Sequence, residues 1–434
     1  MCALLGAVFL VTASLFAQST GANNHSLYVS QQHSIEGLNM AGTDTHMPPI
    51  QESILGADSK FRSAGFRHGV LLRMNVSSSY TQNTLDAPVP ASQQVYVGER
   101  PYESLMANPI FTADLRQLHL RDAQLNISGG FFWVSWEKAG PSAVTLQSLY
   151  LYKAFAKKRV EMKFGYLTNN WEFMGREVGG STAAGAQGVY AVLPYEVGLS
   201  HSPLVTPAFN LRLAGPLHTY VKSGVQRSVD PTGGQATISR NSTGFRFLAK
   251  GDKMLLIDEI GYRRDAAPEQ RETWLRAGSL YNTTAYSNSR TGGKDPGNYC
   301  AYLLADRQLT GDSPEHPTKG IYSGATAMVV PRDRNAYTQY FELRFYKKGT
   351  IRARSADMVS LVSSRSDYST YAIRNLQTAG KTVCHNSNSV TGSYSVHVSR
   401  GNFVSLGLSY VTGPAMTPRV NNALTFGVVS TIFF

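Results

Sequence analysis

In segment after segment of this chain, apolar and polar residues alternate one for one. Leu72, Met74 and Val76 enclose Arg73 and Asn75, and Val160, Met162, Phe164 and Tyr166 enclose Glu161 and Lys163. Phe209, Leu211 and Leu213 enclose Asn210 and Arg212, while Phe341, Leu343 and Phe345 sit between Tyr340, Glu342, Arg344 and Tyr346. A period of two is the period of a strand, whose successive side chains point to opposite faces. From Ala423 the final residues continue the pattern, with Leu424, Phe426, Val428, Ile432 and the terminal Phe434 on one parity. One fatty face on every strand predicts a closed transmembrane β-barrel, lipid outside and a polar lumen inside. For the tail alone, a soluble amphipathic strand is the competing reading.

Strands of about 9 to 11 residues, short turns at one end and long loops at the other set the count. Working back from Phe434, strands are predicted near 422–434, 402–411, 391–399, 356–367, 338–348, 320–330, 299–309, 272–282 and 254–264. They continue near 216–225, 206–214, 159–168, 144–154, 125–136, 112–121 and 66–80. The expected fold class is therefore all-β, a sixteen-stranded antiparallel barrel. In 254–264 the phase that turns Glu259 and Arg263 inward sends Asp258 towards lipid, so a bulge is expected there. The connection from about Asn169 to Pro207 is then the third outer loop, and a long structureless stretch is uncommon unless functional. It carries Trp171, Glu172, Phe173, Arg176, Glu177, Tyr190, Tyr195 and Glu196, a mixture suited to folding inward and narrowing a channel.

At the other end, Leu4 to Ala17 is an apolar run followed by small residues at Ala17 and Gly21–Ala22. It has the length of a signal-peptide core and is too short to span a bilayer, although no Lys or Arg precedes it. The expected organisation is a signal peptide at 1–22, a periplasmic N-terminal segment with a short helix at 23–65, and a barrel at 66–434. Beyond residue 22 no run of eighteen apolar residues occurs, which excludes helical spans. Gly at 39, Tyr at 23, Phe at 19 and a mean hydropathy of −0.20 suit turns, aromatic girdles and half-polar strands. A net charge of +12 raises the question of nucleic acid, but its Lys and Arg are spread singly with no recognition helix. Cys300 and Cys384, both placed near the outer rim, are a candidate disulfide of an exported chain. His25, His33 and His46 fit no ligand spacing, and neither metal nor cofactor is expected.

Parity on the strands, together with the third outer loop, then assembles a candidate substrate wall: Arg73, Glu161, Trp171, Glu172, Arg176, Arg212, Glu259, Arg276, Tyr340, Glu342 and Arg344. A sugar offers hydroxyls that donate and accept around an apolar ring face. Arg and Glu suit its rim, and Trp171, Tyr340 or Tyr346 its face. The same cationic wall suits small anions, so a non-selective or anion-preferring porin is the alternative. Arginines that merely brace the barrel against carboxylates are a further reading of any one of them. No G-x-S-x-G, H-E-x-x-H or Cys-x-x-Cys motif points to an enzyme, and a closed adhesive barrel would betray itself by lack of conductance.

Several segments resemble the carbohydrate-selective porin (OprB) family. The most specific runs from Gly320 to Leu361; others begin at Ile54 (I-L-G-A-D-S-K-F-R-S-A-G-F), Lys157 (K-K-R-V-E-M-K-F-G-Y), Ile257 (I-D-E-I-G-Y-R) and Asn421 (N-N-A-L-T-F-G). The resemblance implies passive diffusion of monosaccharides, chiefly glucose, across the outer membrane through an Arg- and Glu-bearing eyelet. It also implies insertion by the barrel assembly machinery, contact with outer-membrane lipids, and a monomer in preference to a trimer. A short helix is expected around Ile54 to Ser63, with Asp58 and Arg62 at i, i+4 spacing placed to pair. The sequence departs from the family in its long segment after Tyr28 and in a long, proline-rich loop from Tyr80 to Pro109.

Overall fold

The computed structural model describes residues 36–43, 48–174, 192–351, 354 and 356–434. The expected signal segment, Arg176, Glu177 and Tyr190 therefore lie outside the described residues. Sixteen strands are described. The first eight are Val70–Asn83 (β1), Tyr102–Asp114 (β2), Ala123–Val134 (β3), Ala143–Phe155 (β4), Val160–Leu167 (β5), Thr206–Ala214 (β6), Thr219–Arg227 (β7) and Met254–Arg264 (β8). The second eight are Thr273–Ser287 (β9), Lys294–Gln308 (β10), Gly320–Val329 (β11), Tyr337–Lys348 (β12), Met358–Tyr368 (β13), Asn386–Ser399 (β14), Asn402–Thr412 (β15) and Asn422–Phe433 (β16). Each pairs antiparallel with its sequence neighbours, and β1 pairs with β16 to close the barrel. Closure runs to the last residue, where the Phe434 amide donates to the Met74 carbonyl at 2.8 Å. No sheet edge is left in the ring, which is the condition for a sheet in hydrocarbon.

Each predicted strand has its counterpart, and the largest displacement is β2. The sequence pattern places it at 112–121, with a loop through Pro109; it runs instead from Tyr102 to Asp114 with Pro109 inside it. The missing proline N–H falls where the β2–β3 ladder is interrupted between Ala107 and Ile110, so no ladder bond is lost to it. The bulge expected at Asp258 is also absent, because β8 keeps one register with β7 and β9. Asp258 faces outward and accepts a 2.6 Å bond from the Ser223 hydroxyl.

The N-terminal helix is Lys60–Arg67 (α1), later than expected. Asp58 lies outside it and pairs at 3.1 Å with Arg400, while Arg62 is buried and donates to Ser53 Oγ. The expected Asp58–Arg62 pair is therefore replaced. Arg62 turns inward to hold residues 50–53, and Leu38, Ile50, Ala57 and Leu71 pack beside it with Phe66. The tight turn between β14 and β15 abuts the same segment. Gly401 there has φ of 75°, and a Cβ would stand 2.5 Å from the Phe433 carbonyl and 2.6 Å from the Ile54 amide. Gly401→Ala is expected to destabilise the refolded barrel by more than about 1 kcal/mol, read as a lower urea midpoint for unfolding from detergent or vesicles.

Candidate functional site: a charge lattice inside the barrel

Parity decides which side chains point into the barrel. Phe341, Leu343 and Phe345 are exposed on the outside, whereas Tyr340, Glu342, Arg344 and Tyr346 are buried on the inside. Arg73, Lys163, Glu259 and Arg276 are buried likewise. On β8 to β12 the inward positions also include apolar residues, namely Leu255, Ile257, Leu280, Cys300, Tyr302, Leu304 and Met328. They pack against Phe173, Met174, Leu193, Val197 and Leu199, which belong to the connection between β5 and β6. That connection includes a short helix, Val192–Glu196 (α2). Apolar residues on both faces of these strands thus have two different partners, lipid and the connection.

Beside this apolar contact lies a lattice of charges. Lys163 donates to both Glu172 oxygens at 2.8 and 2.9 Å. Lys222 donates to the Glu172 carbonyl at 2.8 Å and stands 3.6 Å from Glu259. Glu259, 1% exposed, accepts from the Tyr220 hydroxyl at 2.9 Å, the Tyr302 hydroxyl at 2.8 Å and the Met174 amide at 2.9 Å. Arg276 pairs with Asp306 and lies 3.8 Å above the Trp274 ring, a desolvated cation–π contact. Asp306 takes a second guanidinium from Arg344 at 2.8 Å, and Arg344 reaches Glu342 at 2.9 Å. Arg212 pairs with Glu161, whose other oxygen accepts from Tyr152 at 2.6 Å. Among the described residues the lattice holds five cations, Lys163, Arg212, Lys222, Arg276 and Arg344, and five carboxylates, Glu161, Glu172, Glu259, Asp306 and Glu342.

Of the sequence-predicted residues, the lattice brings together Glu161, Glu172, Arg212, Glu259, Arg276, Glu342 and Arg344, with the Tyr340 hydroxyl donating to Glu342. Trp171 is half-buried in the turn just before Glu172. Arg73 lies apart, bound to Asn39 and to the Pro48 carbonyl at 3.0 Å. Four of these side chains are nearly sealed, since Glu259, Glu342, Arg276 and Arg344 are 1–3% exposed. Residues 172–174 lie on Glu259 and Arg276, accepting from Arg276 and donating to Glu259. Lys163, turned inward by parity but left out of the candidate wall, and Lys222 and Asp306, not singled out from sequence, complete the lattice. Asp306 was legible as the inward parity of Tyr302, Leu304 and Gln308, but Leu303 and Leu304 adjoin and blur the alternation. The disulfide expectation is corrected: Cys300 and Cys384 are both free. Cys300 points into the apolar cluster under α2, whereas Cys384 sits in a rim connection beside Gly413.

The opposite wall is of another kind. On β13 to β16, β1 and β2 the inward positions carry hydroxyls that pair across strands. Ser360 meets Ser393 at 2.8 Å, Ser364 meets Ser389 at 2.7 Å and Thr391 meets Ser409 at 2.7 Å. Ser395 meets Ser405, Ser77 meets Thr431 at 3.1 Å and Ser79 meets Ser104 at 2.6 Å. A hydroxyl both donates and accepts, so either member of a pair can serve as the donor; the β13–β15 pairs are mostly buried, whereas Ser77, Ser79, Ser104 and Thr431 are half-buried.

A sixteen-stranded closed barrel with a polar, charge-braced interior has the architecture of a porin. Residues 62–434 match the family described as carbohydrate-selective porin, OprB family, and the chain belongs to that family. The high-pH structure of OprB from Pseudomonas putida superposes with a TM-score of 0.70 at 14% identity, covering 86% of this chain and 96% of that one. Its low-pH structure gives 0.56 at 14% identity over 88% and 98%. The Salmonella typhi OmpF complex with daunomycin gives 0.53 at 10% identity over 85% and 99%. At these identities the likeness is one of fold. No curated protein matches the sequence. Family and fold are those of a channel and imply the outer membrane.

Asp306→Ala leaves the buried guanidinium of Arg276 without its carboxylate and strips one of two from Arg344. It is expected to cost about 3–5 kcal/mol of folding stability, measured by urea titration in vesicles. Glu196, on α2, is held by the Tyr337 amide at 3.3 Å, and burial pushes its carboxyl up to about 8. An unfolded glutamate titrates near 4.3, so the docked form binds the extra proton between those values. Its contribution to docking is complete below the unfolded value and is lost as pH rises through about 8. Channel noise is expected to grow with pH across that window and to become pH-independent in Glu196→Gln.

Proposed function

We propose that the protein is a passive channel for neutral carbohydrates of monosaccharide size, glucose among them, and that the β5–β6 connection narrows its passage. The observation that carries this reading is the balance of the lattice. A ring of unpaired Arg or Lys draws anions, whereas here, among the described residues, five cations stand beside five carboxylates. Across the lumen the half-buried hydroxyls of Ser77 with Thr431 and of Ser79 with Ser104 offer a polyol the donors and acceptors it surrenders on leaving water. A neutral polyol has no charge to desolvate and matches both walls. Trp171, half-buried at the turn before Glu172, is the aromatic assigned to the apolar face of the sugar ring.

In this reading Arg276, Glu259, Glu342 and Arg344 act by holding the connection in place, Glu161, Glu172 and Arg212 brace the β5–β6 wall, and Trp171 is the residue turned to the solute. Outer-membrane lipid contacts the outward apolar face, and the barrel works as a monomer inserted by the barrel assembly machinery. Osmotic swelling of liposomes tests the function, with glucose compared with a zwitterionic amino acid and a carboxylate of similar size. Glucose is expected to enter fastest, with Trp171→Ala bringing the rates together. Faster entry of the carboxylate would establish an anion channel instead, equal rates a general porin, and no swelling would end the channel reading.

A further inference from the structure

The described residues before α1 do not hang below the barrel. Gly37 accepts from the Gln124 side chain at 2.7 Å, and the Ala41 amide donates back to Gln124 at 3.3 Å. Asn39 and Pro48 take the Arg73 guanidinium. Thr43 accepts from the Lys163 ammonium at 2.7 Å. Gly42 lies so close to the wall that a Cβ would stand 2.7 Å from the Tyr152 ring and 3.5 Å from Glu161. Gln124, Tyr152, Glu161, Lys163 and Arg73 all have inward parity on β3, β4, β5 and β1. Residues 36–43 therefore lie inside the barrel, on its short-turn half. Leu38, 2% exposed among Ile50, Ala57 and Leu71, seats them.

Lys163 is where two insertions meet. It donates to Thr43 from the N-terminal segment and to Glu172 from the β5–β6 connection. The space left between Gly42, Tyr152, Glu161, Lys163, Glu172 and Arg212 is a cavity of about 20 Å³, room for about one water. Nothing of monosaccharide size passes there.

We infer that residues 36–43 form a wall of the channel. Joined to the connection through Lys163, they close the β3–β6 side from within and leave solute only the rest of the cross-section. The family match begins at residue 62, so this wall belongs to the part of the chain before it. The inference rests on the channel reading alone, because ions report the open cross-section whatever solute the pore serves. Two variants test it by single-channel conductance in planar bilayers and by swelling with a trisaccharide. One is deletion of residues 36–43; the other is Leu38→Asp, which unseats the segment while leaving every barrel residue intact. Heat-modifiable migration confirms that each barrel is folded. Conductance is expected to rise about twofold or more and the trisaccharide, excluded by the parent, to enter. A folded variant of either kind with parental conductance and size limit would overturn the inference. So would loss of conductance in folded Leu38→Asp.

Discussion

In hydrocarbon an unpaired peptide group has no water to turn to and costs several kcal/mol. The sheet must therefore close, and the remaining architecture follows from how it does so. The β1–β16 seam pairs Asn75 with Phe433 and runs to Asn83 with Thr425, fixing a single phase around the ring. Once that phase is set, each strand has a determined inward set. Slipping one strand by a residue would send Arg276 to lipid and Leu275 to the lumen. The seam thus determines which charges meet inside as firmly as it determines the sheet.

Charges forced to meet in a small volume must balance. An ion taken out of water costs several kcal/mol unless it is paired and its remaining bonds are met. Asp306 shared between Arg276 and Arg344 and Glu259 with three hydrogen bonds meet that condition. Part of the satisfaction comes from backbone: the Met174 amide and carbonyl and the Glu172 carbonyl complete Glu259, Arg276 and Lys222. The connection is therefore a member of the lattice as well as a cover for it. Apolar packing of Phe173, Leu193, Val197 and Leu199 adds the non-directional part of the attachment.

The barrel was legible because a period of two over ten residues has one structural meaning, and sixteen strands emerged from it with most boundaries within a few residues. Legibility failed where a residue serves a partner from outside the local pattern. Pro109 reads as a loop, but the ladder gap opposite it hides the missing donor. Leu255 and Ile257 blurred β8, since their inward partner is the connection and not water. The charged residues were found by parity while their role was not. A sequence shows that Arg344 points inward, but not that it ends 1% exposed between Asp306 and Glu342. The hydroxyl wall was overlooked for a different reason. Serine or threonine at every second position of S-N-S-V-T-G-S-Y-S carries no charge or bulk to attract notice, though its alternation is as regular as any in the chain.

In the proposed channel, the division of the interior into a charge-braced side and a hydroxyl side answers two demands that a single surface meets poorly. Holding a connection inside a barrel takes strong, directional contacts, and these come from ions sealed away from water. Passing a polyol quickly takes weak contacts, many and alike, because a solute bound strongly at one point leaves slowly. Sealed ion pairs present little net field to a passing solute, while half-buried hydroxyls such as Ser77 and Thr431 or Ser79 and Ser104 exchange one hydroxyl bond for another at small cost. Separating the two chemistries onto opposite arcs lets the attachment be tight without making the passage sticky. The closed seam allows this, since it places each strand's inward set on a known arc of the ring.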